Sequence, residues 1–423
     1  MILKNSKQLK KLLIISYFFP PSNFVGAERT AAWFKYLQDD GFYPIIVTRC
    51  WNDGQTELIE KQEKNQYTKE IVGNGEIHRV PIKKDPREKW NGLIRKSFTL
   101  IRILNRRKEI PKNEFKDLYF KSRDLILKDP NINIVIASGR PFEIFQLGYL
   151  LKKEFNITWI PDYRDEWNTH LAPAKKSWIW HKIHQREITF EKVWTSNADH
   201  FLSVSPAWIK RICDFIQKEG SVIMNGYDQL IEQPKGKTTS QPTLHLLYAG
   251  SLYAAQNIEL LISTINTLQK EGRSIKLTFI GTEVMLDQLH RLRTLTKNLN
   301  NIEFKSRMSK AELHNYKENA DVLVMTAFEN VDGWLPVKMF EYFASGKPIL
   351  VCPSDNDVID EFILKTKSGI CINDNETLEK QLNDWIEMKK KGKIIHFERN
   401  LEAGKIYSRK EQTKKLAELL NTM

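Results

Sequence analysis

Gly333-Trp334-Leu335-Pro336-Val337-Lys338-Met339-Phe340-Glu341-Tyr342-Phe343-Ala344-Ser345-Gly346-Lys347-Pro348-Ile349 reads as a proline-opened helix that hands over at once, through Gly-Lys-Pro, to a short apolar strand. Pro336 suits the first turn of a helix, where a missing N–H costs nothing. Lys338 and Glu341 stand three apart and share a face near that open end. The free N–H groups of a helix N-terminus favour an anion, and a carboxylate one turn further in can accept hydrogen bonds from sugar hydroxyls. An ordinary helix with one exposed acid at its open end would read the same way.

Working outward, short apolar runs alternate with helix-like segments along most of the chain, the pattern of parallel sheets covered by helices on both faces. The first half supplies strand candidates at Leu12–Phe18, Pro44–Thr48, Glu76–Pro81, Ile132–Ala137, Thr158–Pro161 and His200–Val204. The polar stretch from Glu232 to Pro242 interrupts the pattern and marks a domain boundary. Strand candidates then restart at Leu244–Ala249, Leu277–Ile280, Ile302–Phe304, Val322–Met325, Pro348–Val351 and Gly369–Ile372. The expected organisation is a first α/β domain over 1–230, a second over 231–405 and a terminal amphipathic helix over 406–423. A chain of 423 residues has the length for two such domains.

Composition narrows the classes. With 41% hydrophobic and 28% charged residues, and only 19 Gly and 16 Pro, both halves should fold. Cys50, Cys213, Cys352 and Cys371 form no Cys-x-x-Cys pair and have no neighbouring His cluster, which argues against a disulfide framework or zinc site. Lys10-Lys11 followed by Leu12–Phe19 imitates a signal peptide, but Pro20-Pro21 and a glycine loop follow without a small-x-small site, so a cytoplasmic protein is expected. No apolar run approaches the roughly 20 residues of a membrane-spanning helix. The formal charge of +13 calls for an anionic partner. Residues 83–112 hold eleven basic residues against three acids, interleaved with Trp90, Leu93, Ile94, Phe98 and other apolar side chains. That mix suits a basic amphipathic helix on an anionic membrane surface and equally a solvated helix packed on its own domain. No nucleic-acid motif accompanies it.

Several strand ends carry polar side chains. Phe19-Pro20-Pro21-Ser22-Asn23-Phe24-Val25-Gly26-Ala27-Glu28-Arg29 is a loop and helix start whose glycine lets backbone approach a phosphate or hydroxyl. It is neither a dinucleotide fingerprint nor a P-loop. Asp162-Tyr163-Arg164-Asp165-Glu166-Trp167 gathers acids, an arginine and aromatics after a strand; such groups can orient a hydroxyl nucleophile or simply pin a loop. Arg140, in Ser138-Gly139-Arg140-Pro141, ends another strand, and Asn225-Gly226-Tyr227-Asp228 is a turn. In the second half, Gly250-Ser251 and Gly281 follow strands and suit close approach to a diphosphate and nucleotide. No Asp-x-Asp pair stands where it would bind a divalent metal.

In this order the elements resemble the retaining glycosyltransferases of family 4, and the likeness runs from Leu12 to about Ile372. The common form of their donor-binding helix places two glutamates eight positions apart; Glu341 matches the second, and Gly333 stands where the first would be. The opening loop resembles the family's Pro-Pro and Gly-x-Glu-Arg pattern, and Asp162–Trp167 resembles the Asp-Phe-Arg-Asp-x-Trp element of a bacterial subgroup. The resemblance implies a GT-B fold, with two doubly wound Rossmann-like domains facing across a cleft and a terminal helix that crosses back to the first domain. It implies a nucleotide-diphosphate sugar as donor, a glycan or lipid-linked acceptor, no cofactor, no metal, and a role in bacterial surface polysaccharide assembly. Asp162, Arg164 and Asp165 are then the expected catalytic residues. Gly250, Ser251, Gly281, Arg307, Pro336, Lys338 and Glu341 fall on the donor, and Gly26, Arg29, Arg140 and Asn225 on the acceptor or cleft. The Arg or Lys pair that many relatives carry soon after the glycine is replaced here by Ala254-Ala255-Gln256-Asn257, so Arg307 and Lys338 are the available cations. Competing readings are a nucleotide-sugar epimerase of the same architecture and a nucleic-acid-binding protein.

Overall fold

Leu12, Leu13, Ile14 and Ile15 are fully buried on both faces of their strand, as a parallel sheet covered on two sides demands of its central strand. This strand, β1 (Lys10–Ser16), pairs in parallel with β2 (Phe42–Arg49) on one side and with β5 (Ile132–Gly139) on the other, so that Ile14 lies beside both Ile46 and Ile136. Outside β2 come β4 (Glu76–Val80) and the exposed antiparallel edge strand β3 (Thr68–Ile71). Outside β5 come β6 (Thr158–Tyr163), β7 (Phe201–Ser203) and β8 (Gly220–Val222). The computed structural model describes residues 9–22, 24–51, 66–81, 109, 111, 113–169, 178–231 and 242–423. The basic segment 83–112, apart from Glu109 and Pro111, and the polar stretch 232–241 lie outside the described residues.

The second sheet has the order β11-β10-β9-β12-β13-β14 and is parallel throughout. Its strands are β9 (Leu244–Ala249), β10 (Ile275–Ile280), β11 (Ile302–Lys305), β12 (Val322–Met325), β13 (Ile349–Val351) and β14 (Gly369–Cys371). Each sheet reverses its strand order beside its first strand, between β1 and β5 in one and between β9 and β12 in the other. In open α/β sheets such reversals open a crevice at the carboxyl ends of the strands.

The chain divides into two units, Met1–Met224 with Arg409–Met423, and Asn225–Ser408. The division falls ahead of residue 230 because Tyr227 is bonded within the second unit. Its N–H donates to the Tyr407 carbonyl, and its hydroxyl donates to the Gly404 carbonyl at 3.2 Å. Helix Arg409–Asn421 belongs to the first unit, where Leu416, Ala417 and Leu420 join Trp33, Phe34 and Leu37 in one buried cluster.

Candidate functional site

In the second unit, β9 and β12 pair only through Leu246–Val322 and Leu247–Leu323 and then part, leaving the last residue of β9, Ala249, without a neighbour on that side. Tyr342, on helix Val337–Ser345, takes the vacant place. The Ala249 N–H donates to Tyr342 Oη at 2.9 Å, and the ring is buried. A second tyrosine holds the turn that follows. Tyr248 Oη donates to the Ser251 carbonyl at 3.0 Å and accepts from Lys338 Nζ at 3.0 Å, while that ammonium lies 4.4 Å from the Tyr248 ring centre.

Gly250, at φ 108°, is where the chain turns under Lys338; a Cβ built there would lie 3.6 Å from Nζ. Gly281, ending the neighbouring strand, sits against Gly250, so that a Cβ built on it would lie 3.7 Å from the Gly250 Cα. Pro336 precedes the helix with an extended backbone, and no side chain caps the first turn. Open N–H groups, the half-buried Gly250, the buried Gly281 and one ammonium therefore meet at the switch point of this sheet. That combination suits a diphosphate, because N–H groups and a cation complement its charge and glycine lets it come close.

Lys338 is half-buried, and among the described residues no carboxylate lies within ion-pair distance of it. Burial pushes its pKa down to about 8, against a smaller opposing pull from Glu341. Glu341 is half-buried one turn on and lies 3.7 Å from Lys317 Nζ. Arg307 lies on the exposed loop after β11, two strands from β9 in the sheet order, and its backbone N–H donates to the Glu283 carboxylate.

In the first unit the predicted residues also converge on a strand reversal, but with divided roles. Asp162 has no exposed surface: its carboxylate accepts from Arg29 Nη2 at 2.8 Å, Arg29 Nε at 3.1 and 3.2 Å, and Ser138 Oγ at 2.7 Å. Arg29 in turn donates to the carbonyls of Ile223 and Met224. The polar atoms of Asp162, expected among the catalytic groups, and of Arg29, expected at the acceptor, are thus engaged with each other within the core. Arg164 reaches the loop: its guanidinium donates to the carbonyls of Gly139 and Arg140. A Cβ on Gly26 would fall 1.5 Å from Arg164 Nη1, so the glycine is what admits the guanidinium to the helix start. The exposed Arg140 and the half-buried Asp165 lie 3.7 Å apart. Asn225 is the first residue of the second unit.

The segment beyond β6 is anchored from below. Glu166 takes two hydrogen bonds from Arg211 at 2.8 Å, and the fully buried Glu191 accepts from Asn168 at 2.6 Å. Burial pushes the Glu191 carboxyl up to about 7.

Sequence reading missed Tyr248, Tyr342 and Lys317. Both tyrosines read as strand and helix filler, and only the parting of β9 from β12 gives their hydroxyls work. Among the described residues, no group of three or more His, Cys, Asp or Glu side chains is placed to hold a metal ion, and no helix is long and apolar enough to cross a membrane.

Residues 231–397 match the family described as glycosyl transferases group 1. Sucrose-phosphate synthase from Thermosynechococcus elongatus is similar over 98% of both chains, with 13% identity and a TM-score of 0.63. The catalytic domain of starch synthase IV from Arabidopsis thaliana, solved with ADP and acarbose, is similar over 98% of both chains, with 10% identity and a TM-score of 0.60. The Anabaena protein HepE, solved with UDP-glucose, is similar over 98% of this chain and 100% of its own, with 11% identity and a TM-score of 0.56. No curated protein sequence matches the chain. Residues 231–397 are thus similar to glycosyl transferases group 1, in a chain that has the GT-B fold of solved glycosyltransferases.

Proposed function

We propose that the chain moves a sugar from a nucleoside-diphosphate donor to a glycan or lipid-linked acceptor, with retention of configuration and without a metal, in bacterial surface polysaccharide assembly. The observation that carries this reading is a coincidence of place. The family match over 231–397 contains the switch point at which Gly250, Gly281, Lys338 and the open helix N-terminus come together. Lys338 and the N–H groups take the diphosphate, Gly250, Ser251 and Gly281 wall the nucleotide, Arg307 adds positive charge at the rim, and Glu341 accepts from the ribose hydroxyls. In the first unit, Arg164 and Asp165 act on the acceptor beside Gly26 and Arg140, with Asp162 and Arg29 holding them in register. The acceptor hydroxyl attacks on the face from which the nucleoside diphosphate departs. Stabilised N–H groups and a cation suit a departing diphosphate, since they meet charge as it develops. The basic segment 83–112 would bring the enzyme to an anionic membrane from the cytoplasmic side.

Thermal-shift measurements with UDP, GDP, ADP and CMP test the donor class. Stabilisation by one diphosphate is expected, and stabilisation by none of them would contradict the reading. Product analysis with donor alone separates transfer from epimerisation, since a transferase yields at most slow hydrolysis and an epimerase yields a new nucleotide sugar.

A further inference from the structure

Gly333 bears no acid, yet a carboxylate meets it in space. Its N–H donates to Asp357 Oδ2 at 2.6 Å, from a backbone at φ 73°. Asp357 immediately precedes helix Val358–Thr366 but does not cap it. That work falls to Asp355, whose carboxylate accepts from the N–H groups of Asp357 at 3.0 Å and Ile359 at 3.1 Å. The Asp357 carboxylate is therefore spare. Among the described residues its Oδ1 accepts no hydrogen bond, and no Lys, Arg or His lies within ion-pair distance.

Aromatic rings stand alongside. Trp334, the next residue after Gly333, lies on Phe328 with ring centres 3.7 Å apart, and Phe328 lies 5.5 Å from Tyr253. Tyr253 and Phe328 follow β9 and β12, and their loops are tied by the Glu329 N–H to the Ala255 carbonyl at 2.8 Å and by Gln256 to the Thr326 carbonyl at 2.8 Å. The wall is thus built at the same strand ends as Gly250. A half-buried carboxylate holding one N–H keeps several lone pairs for O–H donors. One acid without further acidic ligands is a poor metal site, whereas an acid beside apolar ring faces suits a neutral ring that carries hydroxyls at its edge and C–H groups on its face.

Resting on the donor reading above, we propose that Asp357 and Trp334 bind the donor's sugar ring, the carboxylate accepting from its hydroxyls and the indole covering a C–H face. Asp357 thereby supplies, from a different element, the acid that position 333 lacks.

Isothermal titration tests this with UDP, GDP and ADP against UDP-glucose, UDP-N-acetylglucosamine, GDP-mannose and ADP-glucose. Asp357→Asn keeps an oxygen for the Gly333 N–H while losing the charge. The variant should bind the free diphosphate within twofold of wild type and bind the matching nucleotide sugar roughly tenfold or more weakly, as loss of a charged hydrogen-bond acceptor implies. Trp334→Ala should give the same split by an independent route. Equal weakening of diphosphate and nucleotide sugar, or no weakening of either, overturns the assignment. Failure of every diphosphate to bind wild type overturns the donor reading, and this assignment with it.

Discussion

Asp162 and Glu191 are acids of one unit, both fully buried, and differ in what faces them. Asp162 has the Arg29 guanidinium and Ser138, whereas Glu191 has Asn168 and, among the described residues, no cation within ion-pair distance. Asp162→Ala leaves a buried guanidinium uncompensated and should cost about 3–5 kcal/mol in denaturant unfolding. For Glu191 the folded state keeps its proton up to about pH 7, while an unfolded carboxyl releases it near 4.5. The stability it confers is complete below that lower value and is lost as pH rises towards 7. Glu191→Gln should remove this loss and raise stability at pH 8 by up to about 3 kcal/mol, read as the melting temperature against pH. At Lys338, burial lowers the pKa to about 8, so the free protein loses its charge above that pH. Donor KM should then rise above pH 8 in wild type, and this rise should vanish in Lys338→Met.

At the scale of the element, helix Val337–Ser345 was legible because its signals are local: Pro336 at its start, Gly346 at its end and an apolar stretch leading into β13. The strands of the second sheet were legible for the same reason, as short apolar runs, fully buried in β12 and β13 and half-buried at the edges β11 and β14. What Tyr342 does was not, since its partner Ala249 lies 93 positions away and becomes available only where two strands diverge. Tyr342→Phe should leave the Ala249 N–H buried without an acceptor, at a cost of about 1–3 kcal/mol measured by chemical denaturation. The spare acid at Asp357 was hidden likewise: an acidic run ahead of a helix reads as capping, and only the structure separates Asp355, which caps, from Asp357, which turns to Gly333. The helix over Lys310–Asn319 is the opposite case. Its Ser309 and Glu312 form a complete capping box that could have been read from sequence.

For the whole molecule, the order of elements along the chain was enough to identify two parallel α/β units, and the terminal helix illustrates what order leaves out. Leu416, Ala417 and Leu420 complete the core around Trp33, and Arg409 pairs with Glu28. Deleting Arg409–Met423 should uncover that core and destabilise the first unit by at least about 4 kcal/mol, visible as a separate, earlier unfolding transition. In the proposed function, the switch point of the second unit holds a nucleoside diphosphate through Lys338 and the helix that bears it. Titrating UDP, GDP and ADP into wild type and Lys338→Met at pH 7 tests it most directly. One diphosphate should bind wild type in the micromolar range and at least tenfold more weakly in the variant, about 1.4 kcal/mol or more; equal affinity in both proteins would contradict the proposed site.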